Sequence, residues 1–174
     1  MVIGKNNHEH FLHRLGGVSS KVIDNHHLEN LSEFVLHDIC SDDLLNANKV
    51  AYLVNNPGFL CMKGVAGWNN QDAFDKGFGW ENQKDFTSHM LKSSFNQKVR
   101  KINDKHIPVS SSGLDKNEVF KLADYLEIED PFYHVWNMKH ANQGLLILEK
   151  KDKNEEIFEH LPYFVSILSY CPIF

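Results

Sequence analysis

The stretch Gln143-Gly-Leu-Leu-Ile-Leu-Glu-Lys-Lys151 constrains this chain more than any other. Four large aliphatic residues stand between a glycine and a charged run, too short for a buried helix and right for a short buried strand. The apolar segment behind it, Ile157 to Tyr170, reads as a closing helix. The rest of the chain is organised to pack against that pair.

Three more runs share the strand pattern. In Lys49-Val-Ala-Tyr-Leu-Val54 both alternating sets, Val50/Tyr52/Val54 and Ala51/Leu53, are apolar, so this strand needs cover on both faces. Asn55-Asn-Pro-Gly58 is a turn signal, and Phe59 to Ala66 follows as the second arm of a hairpin. Phe132-Tyr-His-Val-Trp-Asn-Met138 places Phe132, His134, Trp136 and Met138 on one face and Tyr133 and Val135 on the other.

Helical spacing marks the intervening segments. Leu28, Leu31, Val35 and Ile39 form one stripe, with Asp24 or Asn25 as its cap; Phe86, Met90, Phe95, Val99 and Ile102 form a second. Val119, Leu122 and Leu126 form a third, opened by Asp115 with Glu118 three residues on. Pro162 is incompatible with a helix interior, so the closing helix either kinks there or begins near His160. Lys105 to Val109 reads as a short edge strand and Ser110 to Gly113 as a loop. The expected class is α+β: a central antiparallel sheet with helices packed mainly on one face. Residues 1–25 form an N-terminal segment, partly helical or flexible, and 26–174 a single domain.

Bulk properties narrow the function. The 174 residues suffice for one core, and no run approaches a membrane span. Three widely spaced cysteines, Cys40, Cys61 and Cys171, form no disulfide framework, and the N-terminus lacks a signal-peptide pattern; both point to the cytoplasm. A net charge of −5 without a basic block argues against direct nucleic-acid binding. The cluster Lys98, Arg100 and Lys101 reads as a solvated helix end. Histidine is abundant at 11, and its protonation would carry the balance to +6; surface composition explains this better than pH sensing. His8, His10 and His13 lack the converging ligands that zinc needs, so no metal is expected, and no cofactor motif is present.

The element order resembles that of a GAF domain, a small sensory fold. The residues that carry the likeness are Phe132 through Glu149, a strand, turn and Gly-led strand, and Glu155 through Leu168, which is similar to the family's terminal helix with its Leu-Pro pair. The resemblance covers residues 28 to 170 and implies a cytoplasmic sensory or regulatory domain, like those that precede helix-turn-helix regulators in bacteria. The family's nucleotide motif and a bilin-attachment cysteine are both missing. Output therefore passes through a regulatory protein partner or through homodimerisation, by the first and last helices, with stripes Leu28–Ile39 and Ile157–Leu168.

The candidate ligand site lies on the sheet face beneath the aromatic connection Gly67 to Asp85. Its lining is Tyr52, Cys61, Lys63, Trp68, Trp80, His134 and Trp136, a set suited to a flat or partly anionic small molecule. Two alternatives stand beside it. One is a thiol-dependent reductase on the same fold using Cys61, with Cys40 in second place; the other is an interaction protein whose core these aromatics simply fill. Ser110 to Ser112 sit in no nucleophile elbow, and the carboxylates fall on helix faces and turns, so neither hydrolase arrangement is supported.

Overall fold

The computed structural model describes residues 4–41, 44–56, 58, 60–72, 79–103, 114–151 and 160–173. The four strand-like runs pair as expected. They are β1 (Ala47–Asn56), β2 (Cys61–Asn69), β3 (Pro131–Asn137) and β4 (Gln143–Lys150). All neighbours are antiparallel, in the order β2-β1-β4-β3. The register aligns Ala66, Tyr52, Leu146 and His134 across the sheet, so one face is set from edge to edge.

Among the described residues six α-helices accompany the sheet: α1 (Gly4–Asp24), α2 (Leu31–Ile39), α3 (Gln83–Lys92), α4 (Ser94–Arg100), α5 (Lys116–Tyr125) and α6 (Leu161–Leu168). Four of them supply apolar residues to the core on one face, where Val50, Tyr52, Trp68, Leu146 and Leu148 meet Phe11 and Leu15 of α1, Phe34 and Leu36 of α2, Phe86 and Met90 of α3, and Phe164 and Leu168 of α6. The opposite face packs Ala51, Leu53, Leu145 and Ile147 against Phe95 and Val99 of α4 and Val119 and Leu122 of α5. β1 is covered on both sides, as its doubly apolar alternation requires.

Several boundaries differ from the sequence reading, each for a local reason. The stripe from Phe86 to Ile102 is two helices, because Ser93 leaves helical geometry (φ −59°, ψ 119°) and its hydroxyl accepts from the Asn96 amide at 3.2 Å, capping α4. α2 starts at Leu31, and Asn25 closes α1 instead, its side-chain amide donating to the Lys21 carbonyl at 2.8 Å. α6 begins beside His160 with Pro162 in its first turn, the second of the two solutions Pro162 allowed. The N-terminal segment is a 21-residue helix that inserts Phe11, Leu15, Val18 and Val22 into the main core. The expected edge strand Lys105–Val109, the loop Ser110–Gly113, the aromatics Phe74 and Phe78, and Ile157 lie outside the described residues.

One irregularity sets how the two layers meet. Tyr52 opposes Ala66 but Leu53 opposes Gly64, so Val65 is an extra residue in β2. The bulge turns Gly64 and Gly67 to the same side, toward α4. A Cβ on Gly64 would lie 1.8 Å from the Val99 carbonyl oxygen, and one on Gly67 would lie 2.6 Å from Val99 Cγ2. Without those side chains α4 closes onto the strand: the Gly64 amide donates to the Ile102 carbonyl at 3.0 Å, and the Gly67 amide to Asn96 Oδ1 at 2.9 Å. Asn96 also donates to Glu33 Oε1 at 2.8 Å. The buried Glu33 carboxylate further accepts from Arg100 at 2.9 Å and from Asn30 at 3.0 Å, tying α2 to α4 around the edge of β2.

Candidate functional site

The seven residues singled out from sequence fall into three groups. Tyr52, His134 and Trp136 come together: the Tyr52 and Trp136 rings stack at 5.7 Å and those of His134 and Trp136 at 6.2 Å. Trp136 lies over Gly144, where a Cβ would strike its ring at 2.2 Å, and its indole N–H donates to the Ser169 hydroxyl at 2.8 Å. Burial pushes the Tyr52 phenol far above its ordinary range, with the nearby Cys171 thiol adding to the effect, and burial lowers the His134 pKa.

Trp68 and Trp80 belong to a second cluster. Trp68 is buried edge-on against His37 at 4.8 Å and stacks with Phe86 at 6.3 Å; Trp80 leans on Phe34 at 4.8 Å. The Trp80 indole donates to Asp38 Oδ2 at 2.8 Å, and Lys21 donates to the same oxygen at 3.0 Å. Burial alone would raise the Asp38 pKa; the hydrogen bonds from His37, Lys21 and Trp80, with the Lys21 charge, outweigh it and hold the carboxyl below its ordinary value. Trp80 thus pins the far end of the aromatic connection onto α2.

Cys61 and Lys63 form the third group, at the start of β2, opposite Asn56 and Val54. Cys61 is exposed, whereas Cys40 and Cys171 are buried. Burial pushes the Cys171 thiol up to about 12 against a lowering hydrogen bond from Ser32. α1, α2, α3 and α6 pack on the face that carries the first two groups, where Tyr52, Trp68, Trp80 and Trp136 make core contacts and His134 is half-buried. His10 and His13 are exposed on α1, and among the described residues no three metal-binding side chains converge.

A cavity of about 580 Å³ opens elsewhere, between α1 and α6. Leu15, Ser19, Val22, Ile23 and His26 line one wall; Tyr163, Ser166, Ile167 and Tyr170 line the other. None of these nine residues carries a fixed charge. The core side is sealed by Leu15, Val22 and Ile167, while Ile23 (70% exposed), Tyr163 (51%) and Tyr170 (76%) stand at the rim. Such surface is uncommon on a monomer unless something covers it. The polar groups are quiet: Ser19 and Ser166 donate their hydroxyl protons to the Leu15 and Pro162 carbonyls at 3.1 and 2.8 Å. His26 Nδ1 lies 2.9 Å from the Ile23 carbonyl, which fixes the proton on that nitrogen. The serines are left as acceptors inside an apolar trough. That arrangement suits a neutral apolar body.

Sequence reasoning missed this groove. The α1 stripe Phe11, Leu15, Val18, Val22 has the 4-3-4 spacing of a packed helix and was legible. Its pairing with α6 joins segments at opposite ends of the chain, which no local pattern records. Four helices thus share a face with the candidate aromatics, and the groove opens on the far side of that layer. Comparison with protein-family models, with curated proteins and with solved structures finds no match to this chain.

Proposed function

We propose that this chain is a non-catalytic regulatory binding module, GAF-like in its element order, that engages a neutral apolar partner through the groove between α1 and α6. The observation that carries this reading is the uncharged lining of a 580 Å³ trough with tyrosine and isoleucine side chains exposed along its rim. Its volume is that of a small-molecule site, and its two walls present side chains at helical spacing, 15-19-22-23-26 and 163-166-167-170, as a groove for a helix does. The two serine hydroxyl protons at the groove are spent within their own helices, which supports binding over chemistry. The exposed thiol of Cys61 does not line it.

Nile red, a neutral fluorophore that brightens in apolar surroundings, tests the reading at submicromolar protein. The wild-type chain is expected to bind it, and Ser166→Trp, which fills the trough from an exposed position on α6, is expected to abolish the signal with the fold intact by circular dichroism. Unchanged fluorescence in that variant places the binding elsewhere and refutes the assignment.

A further inference from the structure

We propose that the occupant of the groove is a second copy of this chain, docked by packing α1 antiparallel against the α1 helix of its partner. This rests on the assignment of the groove as the binding surface. Besides its buried stripe, α1 carries a second one, Leu12, Gly16, Ser19 and Ile23, again at 4-3-4 spacing, the heptad rhythm of two packed helices. Leu12 and Ile23 are exposed, at 44% and 70%, and a Cβ built on Gly16 meets nothing within 4 Å. A mid-helix glycine costs about 1 kcal/mol relative to alanine, and here no neighbour within the chain requires it. Close approach of another helix does.

The stripe identifies that helix. Read in either direction it runs large, small, small, large. An antiparallel two-fold centred near residues 17 and 18 sets Gly16 beside the partner's Ser19, where the backbones approach closely, and Leu12 beside the partner's Ile23, a large pair that closes each end of the contact. Arg14 and Lys21 lie on the opposite side of the helix by its 100° step, and Lys21 is held there by Asp38. Between Leu12 and Ile23 no fixed charge therefore enters the contact. The 21 residues of α1 span about 31 Å and the eight of α6 about 12 Å, so at about 10 Å of width each the α1–α6 face offers on the order of 400 Å² in projection. Interfaces that bury less than about 1,200 Å² in total belong to weak, transient pairs, so this contact is one that forms at high protein concentration.

Sedimentation equilibrium of the full chain, from low micromolar to several hundred micromolar, tests this. The wild type is expected to move from the 20.1 kDa monomer to twice that mass. Leu12→Glu and Ile23→Lys, both at exposed positions, are each expected to remain monomeric. Mixed in equal amounts they are expected to dimerise, because the two-fold then sets a carboxylate against an ammonium at one end and leaves Leu12 against the partner's Ile23 at the other. A wild type that stays monomeric throughout, a single variant that still dimerises, or a mixture that does not, each overturns the proposal. Leu12 lies outside the groove lining, so Nile red bound by a monomeric wild type sinks the second copy alone. A monomer that also fails to bind the dye sinks the groove assignment with it.

Discussion

Replacing Gly64 with alanine tests how the two layers are joined. The added methyl would sit 1.8 Å from the Val99 carbonyl oxygen and 2.7 Å from its carbon. An ordinary C···O contact is about 3.3 Å, so the end of α4 must retreat by roughly 1.5 Å. The obstacle is backbone, and no rotamer change relieves it. The retreat stretches two hydrogen bonds, from Gly64 to Ile102 and from Gly67 to Asn96, and loosens Val99, which is fully buried. Overpacking costs about 1 to 3 kcal/mol and each weakened buried hydrogen bond about 1 kcal/mol, which puts the loss at about 3 to 5 kcal/mol. That is a large part of the stability of a typical domain. Urea unfolding followed by tryptophan fluorescence measures it. Gly17→Ala is the control: its Cβ would meet nothing within 4 Å, and it is expected to gain about 0.5 to 1 kcal/mol from helix propensity. A Gly64→Ala protein within 1 kcal/mol of wild type, by the scale of ordinary surface substitutions, would refute the close approach of α4.

Asn96→Ala strips an acceptor from the Gly67 amide and a donor from the buried Glu33 carboxylate together, and is expected to cost about 2 to 4 kcal/mol in the same assay. Stability is also expected to fall with acid in two windows. His134 has a folded pKa below its ordinary 6.5, so the unfolded chain takes up the proton first and stability declines as pH drops below 6.5; His134→Gln removes that part. Asp38, held below its ordinary 3.8, contributes stability above that value and loses it as pH falls through the lower folded value; Asp38→Asn flattens this second window in a pH series of denaturation midpoints.

The sheet was legible because alternation is a local signal: the runs near Val50, Met62, Val135 and Leu146 each announce a strand, and the short connections within β1–β2 and β3–β4 make each of those pairs a hairpin. Pro162 left two readings of the closing helix, a kink or a start near His160, and the second holds. The break at Ser93 was not legible, since Phe86, Met90, Phe95 and Val99 keep near-helical spacing across it and only the capping geometry of the serine separates the two helices. The bulge at Val65 hid the partnership of Gly64 and Gly67, which strict alternation assigns to opposite faces. Of the site, the aromatic residues were visible but not what they touch. Tyr52 and Trp136 meet across β4 through the open space over Gly144, and Trp80 reaches Asp38 on α2. The stripe Leu28 to Ile39, expected to face a partner, is spent inside the domain: Leu31, Phe34, Val35, Leu36 and Ile39 are all fully buried. The exposed apolar surface passed to α1, whose role depends on α6 and so could not be read from either alone.

The most direct measurement maps binding on the whole surface at once. Amide chemical shifts of the Leu12→Glu variant, titrated with indole as a neutral apolar probe, are expected to move along residues 15–26 and 163–170. Shifts gathered around Cys61 and Lys63 instead, with those two segments unmoved, would contradict the assignment of the α1–α6 groove as the working face of this protein.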